Sequence, residues 1–202
     1  MLRKRKKRNC ERSLVFLLLF LALFAARTDQ GVIPAIATTL KKQFNMNSVS
    51  IGSLGSMVFL GSVVGSLIAI PLLDLIPTKL ALMSCLFWQS LALFSFTFST
   101  DWYELAAARF LSGVSAVILS IFLPVWVDAF APSERKTTWM TLIIVAAPKG
   151  MLMGYGMAAV ILSTSEDNWY WAFYAIIFAM VPIMVTIFFV DNKHIDIKEH
   201  MR

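Results

Sequence analysis

The sequence predicts an all-α membrane protein with six transmembrane helices. Three observations predict it. The 202 residues are 58% hydrophobic and 15% charged, with mean hydropathy +0.74, where a soluble domain is about half apolar and a quarter charged. Six apolar runs each reach the ~20 residues that a helix needs to cross a ~30 Å hydrocarbon core. Lys and Arg fall almost entirely on one side of those runs. Helix is the required form, because a backbone in lipid must satisfy its own hydrogen bonds. Runs such as Leu14–Ala26 lack the alternation of a membrane β-barrel.

Residues 1–12 form a basic tail with Arg3, Lys4, Arg5, Lys6, Lys7, Arg8 and Arg12. Such a cluster ahead of a long apolar run sets topology and attracts anionic lipid, a better account than nucleic-acid binding. The membrane domain occupies 13–190, with spans near 13–40, 49–73, 79–99, 102–127, 138–162 and 169–190. The first run also resembles a secretory signal peptide. Leu23 and Phe24 before Ala25 and Ala26 make a poor cleavage site, and apolar character resumes at Gly31, so the span is expected to be retained. Connections are short, with no linker between soluble domains. Residues 191–202 form a second polar tail. With both termini in the cytosol, Lys79, Arg135, Lys136, Lys193, Lys198 and Arg202 join the tail inside, and only Lys41 and Lys42 lie outside. That distribution predicts both termini cytosolic.

The spans carry Arg27, Asp29, Arg109 and Lys149. Such charges are costly in lipid and normally face a cavity or a partner. Counted at about 1.5 Å per residue, all four lie in a layer from the midplane outward. An Asp29–Arg109 pair is allowed if spans one and four adjoin. Arg27 and Asp29 are two residues apart and do not share a helix face, unless the helix is irregular around Gly31 and Pro34. Gly52, Ser56, Gly61 and Gly65 in span two, and Gly150, Gly154 and Ala158 in span five, have the spacing that lets helix backbones approach closely.

Several patterns then coincide. Asp29-x-Gly31-x-x-Pro34 ends span one. Arg109-x-x-x-Gly113 opens span four. Asp128-Ala-Phe-Ala-Pro132-x-x-Arg135 follows it. Pro148, Gly150, Gly154 and Gly156 mark span five, and Trp169-Tyr-Trp171-Ala-Phe173 opens span six. In this order the chain resembles one six-helix half of a major facilitator transporter, nearest the Spinster-like branch. The resemblance implies two inverted three-helix repeats, helix packing at Gly31, Pro34, Gly61, Gly65, Gly113, Gly150 and Gly154, and a cavity lined by spans one and four. It also implies a cytosolic gate at Asp74, Asp128 and Arg135, with Asp74 facing Arg135. Ile70–Lys79 keeps only Asp74 and Lys79 of the family's gating loop.

The expected function is secondary transport of a small solute, coupled to protons. Asp29 is the coupling acid and Arg109 its counter-charge. Arg27 and Lys149 bind an anionic group, and the excess of cations favours an anionic or zwitterionic solute. Partners are the bilayer, the solute, and a second six-helix half or a second copy of the chain. The alternatives are a non-transporting subunit of a larger membrane assembly and a half-transporter active as a dimer. No nucleic-acid partner, cofactor, metal or enzymatic activity is expected. No nucleophile and base converge, and His194 and His200 lie in the tail without further ligands.

Overall fold

The computed structural model describes residues 2–192, 195 and 196, and side chains from residue 11 onward except Glu166. Six long helices follow one another: α1 (Leu2–Gln43), α2 (Ser48–Leu75), α3 (Thr78–Phe98), α4 (Trp102–Phe130), α5 (Lys136–Thr164) and α6 (Tyr170–Phe189). A single 3-10 turn, Glu166–Asn168, precedes α6. All six helices are long and apolar enough to cross a membrane. Their short connections make them alternate in direction. α1, α3 and α5 rise from one face, the lower, and α2, α4 and α6 return to it.

Local chemistry sets the ends. Asn45 has φ 48, and the Met46 N–H reaches back to the Lys41 carbonyl at 3.1 Å. That is a Schellman stop with Asn in the left-handed position. Asn47 then caps α2, its side-chain oxygen accepting from the Ser50 N–H at 2.7 Å. Pro77 forces Ile76 into extended backbone and so ends α2 at Leu75.

α1 is longer than its apolar span and continuous through it. It begins at Leu2, ahead of the span from about residue 13, because nothing in the basic segment breaks a helix and Lys and Arg are good helix formers. It runs unbroken through Gly31 and Pro34, where the sequence also allowed irregularity. α2, α4, α5 and α6 likewise carry an internal proline, at Pro71, Pro124, Pro148 and Pro182. Surrounding helices let a membrane helix keep its course past a missing hydrogen bond.

The packing has a two-fold logic. α1 packs on α5 and α6, α4 packs on α2 and α3, and α3 packs on α6. Exchanging α1 with α4, α2 with α5, and α3 with α6 reproduces the same set of pairs. Partners in that exchange run in opposite directions, so the bundle is two inverted three-helix repeats.

Glycines make the two closest interfaces. A Cβ on Gly61 would strike the Phe110 carbonyl, and one on Gly113 the Val58 carbonyl. In the other repeat, Gly31 abuts the Met151 carbonyl and Gly154 the Thr28 carbonyl. Gly65 and Gly150 also face backbone, whereas Gly52 faces open space. The small-residue stripe of α2 is thus used only at its lower part. Pro34, expected among the packing residues, is exposed instead.

Candidate functional site

The site begins with a charge pair that helix packing brings together. Asp29 on α1 is 1% exposed and Arg109 on α4 is 2% exposed. Arg109 Nη1 donates to Asp29 Oδ2 at 2.8 Å. Ser112, one turn along α4, lies with its Oγ 3.3 Å from the same carboxylate oxygen and 3.1 Å from the Arg109 carbonyl. Its single proton serves one of them at a time. The Phe96 ring from α3 stands under the guanidinium, 6.0 Å from ring centre to Cζ.

The pair is incompletely satisfied. Asp29 Oδ1, Arg109 Nε and the nearby Gln30 Oε1 are buried without a hydrogen-bond partner. Buried polar atoms are normally paired, and exceptions call for a reason. Arg109 and Gln30 line a cavity of about 230 Å³ together with Pro34, Gly55, Phe59 and Met151. Pro34 has no N–H to give the Gln30 carbonyl, four residues before it. The cavity therefore offers unused donors and acceptors from α1 and α4 beside apolar walls from α2 and α5.

Arg27 lies apart from this pair. Its Nη2 donates to Ser120 Oγ on α4 at 2.6 Å, while Ser120 donates to the Ala116 carbonyl at 2.9 Å. Arg27 Nε is buried without a partner. Both Arg27 and Asp29 reach α4 from a regular helix, because the long arginine side chain bridges the difference in facing. Lys149 joins neither group. It is exposed and lines a separate cavity with Phe24 and residues of α5.

At the lower face, an ion pair runs from Lys136 Nζ to Asp128 Oδ1 at 2.5 Å. Arg135, one residue earlier, is exposed, as is Asp74. Lys79, retained from the resemblance's gating loop, donates to the Phe188 and Val190 carbonyls at 2.6 and 2.7 Å. It caps the end of α6 rather than facing across the lower face. Lys193, Lys198, Arg202, His194 and His200 lie outside the described residues, as do the side chains of the basic segment up to Cys10.

Sequence reasoning missed Gln30, Ser112 and Ser120. One signal was available. Arg27-x-x-x-Gly31 repeats Arg109-x-x-x-Gly113, and both glycines sit at equivalent helix crossings of the two repeats. Arg27 is therefore the counterpart of Arg109, which points to α4 as its contact.

The sequence profile of the Major Facilitator Superfamily matches residues 16–200. A gentisate transporter of Corynebacterium glutamicum is 25% identical over 157 residues, covering 78% of this chain and 35% of the relative. A probable sphingolipid transporter of Arabidopsis thaliana, spinster homolog 1, is 30% identical over 161 residues, covering 79% and 32%. The solved structure of a major facilitator proton:xylose symporter bound to 6-bromo-6-deoxy-D-glucose superposes with a TM-score of 0.78 at 14% identity. It covers 90% of this chain and 45% of the symporter. The chain thus spans about a third to under a half of these proteins.

Proposed function

Since the chain belongs to the Major Facilitator Superfamily, we propose that it forms one half of a secondary transporter for a small solute, coupled to protons. Both termini face the cytosol in this reading, in keeping with the distribution of Lys and Arg. The observation that carries it is the buried Asp29–Arg109 pair, which is incompletely satisfied and whose Arg109, with Gln30, lines a cavity within the membrane span. A fully structural ion pair would have its remaining donors and acceptors satisfied. Here Asp29 Oδ1 and Arg109 Nε are left unpaired, which suits groups that exchange a proton or meet a solute.

The mechanism follows from the geometry. With Asp29 ionised, α1 and α4 are tied by a charge-assisted hydrogen bond. Protonation of Asp29 removes its charge and releases Arg109 and Ser112. α1 and α4 are related by the inverted repeat, so loosening their contact biases the half between two arrangements. Arg109 and Gln30 then contact the solute and Arg27 supplies positive charge at similar depth, while Lys149 stands at a separate cavity. An anionic or zwitterionic solute fits that balance, and the gentisate carrier among the relatives is in keeping with an organic anion.

The test is uptake into vesicles holding the full-length protein, driven by an imposed pH gradient. Asp29→Asn is expected to abolish accumulation while keeping downhill exchange. Normal gradient-driven accumulation in that variant would sink the proposal. Alanine at both Asp29 and Arg109 with transport unchanged would instead favour a structural subunit, a role in keeping with the use of Lys79 to close α6.

A further inference from the structure

We infer that the trough between α1, α5 and α6 seats the apolar body of an amphipathic organic anion whose charged head is held by Lys149 at mid-membrane depth. The inference rests on the transporter reading and concerns a second site, apart from the cavity lined by Arg109 and Gln30, with its own class of ligand.

Lys149 lies near the middle of α5 (Lys136–Thr164), about 20 Å from either end of the helix. It is exposed, and among the described residues it has no hydrogen bond or ion pair. A cation held at that depth with no partner among the described residues points to a site that an anion completes.

Beside it runs a cavity of about 660 Å³, within the range of about 300–1,000 Å³ typical of small-ligand sites. Phe24 of α1 forms one wall, and Met153, Gly156, Met157 and Val160 of α5 form the other. A further 130 Å³ continues past Phe24, Met153 and Met157 to Ala175 and Ile176 of α6. The polar side chains along the combined trough are Lys149 and Thr28. Thr28 already donates to the Phe24 carbonyl at 2.9 Å.

The wall selects by chemistry. A hydroxyl-rich solute would lose its water and find almost no partners, at a cost that apolar contact does not repay. An apolar tail or ring gains from the same wall, and the methionines can repack around different shapes. Depth excludes an ordinary annular phospholipid, whose headgroup would sit about 15 Å away at the bilayer surface. An anion on Lys149 is one that the protein has drawn inward.

Gly156 offers a clean probe, because a Cβ there meets nothing within 4 Å. Gly156→Leu fills the trough without displacing a helix. The full-length protein would be placed in nanodiscs of phosphatidylcholine and its binding of decanoate, decylamine and acetate measured. A decanoate with a terminal diazirine would map the contact. Expected are saturable decanoate binding, crosslinks within Leu152–Ile161, and about tenfold weaker binding in Lys149→Gln, recovered in Lys149→Arg. Gly156→Leu should weaken decanoate and leave acetate unchanged.

Equal binding of decylamine and decanoate, unchanged decanoate affinity in Lys149→Gln, or crosslinks elsewhere would overturn the inference. Gradient-driven acetate uptake that needs Asp29, with no decanoate bound, overturns the trough and leaves the transporter reading standing. Decanoate bound as expected, with no solute taken up, does the reverse.

Discussion

Arg109 on α4 and Asp29 on α1 meet at 2.8 Å with both side chains almost wholly buried. The contact ties the first helix of one inverted repeat to the first helix of the other. In the proposed mechanism, charge at that junction governs how the repeats sit together. Removing the acid while keeping its shape, as in Asp29→Asn, should leave a protein that exchanges solute but ignores a pH gradient. Counterflow measured beside gradient-driven uptake checks this, and equal loss of both would mean the acid serves folding alone.

Breaking the pair from the other side should act on stability. Arg109→Ala leaves Asp29 as an uncompensated buried charge, a change that costs about 3–5 kcal/mol in comparable sites. The double variant Asp29→Asn with Arg109→Ala should recover part of that loss, because no lone charge remains. Denaturant unfolding in detergent gives the four corners of the cycle. Additive losses would show that the two groups do not interact.

The glycines divide by what they face. Gly31 and Gly113 each press on a backbone carbonyl across a helix crossing. Alanine there must push two backbones apart, with a cost of about 1–3 kcal/mol. Gly52 and Gly55 face nothing within 4 Å, so alanine should gain about 0.5–1 kcal/mol from helix propensity. The repeat symmetry also predicts that Gly31→Ala and Gly113→Ala lose similar amounts. Thermal unfolding of these variants tests both the sign and the equality.

Much of the bundle was legible because lipid imposes harsh rules. Six apolar runs had to be six helices, and charged residues in them had to find partners, so Asp29 and Arg109 stood out. Spacing along a helix fixes depth, however, and not which neighbour a residue faces. Lys149 shares the region of Asp29 by depth yet turns to another cavity, and Gly52 has the spacing of Gly61 without its contact. Gln30 was invisible because an uncharged amide carries no insertion cost large enough to draw notice. The basic residues before the span signal topology while also favouring helix, and α1 begins at Leu2, ahead of the apolar run.

Lys79 shows how a loop that departs from its family pattern keeps a use. Its ammonium holds the last carbonyls of α6 and lies 5.6 Å from the Phe188 ring centre. A cation at a helix C-terminus contributes up to about 1 kcal/mol at an exposed site. Lys79→Met should lower stability by about that amount and raise hydrogen exchange in the last turn of α6. Exchange unchanged there would show that the cap does not hold the helix end.

Arg27 is where the repeats differ in chemistry. Its counterpart Arg109 finds a carboxylate, whereas Arg27 finds the hydroxyl of Ser120. The first arginine is neutralised and the second keeps its positive charge. Arg27→Gln then removes a charge without stranding an opposite one, so its stability cost should be small. Its effect should fall on solute charge. Uptake of an anionic probe such as benzoate should drop about tenfold, the weight of one charge-assisted hydrogen bond, while that of a neutral sugar such as xylose should hold. Ser120→Ala is the control, because it removes the hydrogen bond and keeps the charge. If Ser120→Ala reproduces Arg27→Gln for both probes, Arg27 acts by bracing α1 against α4 and not by attracting an anion.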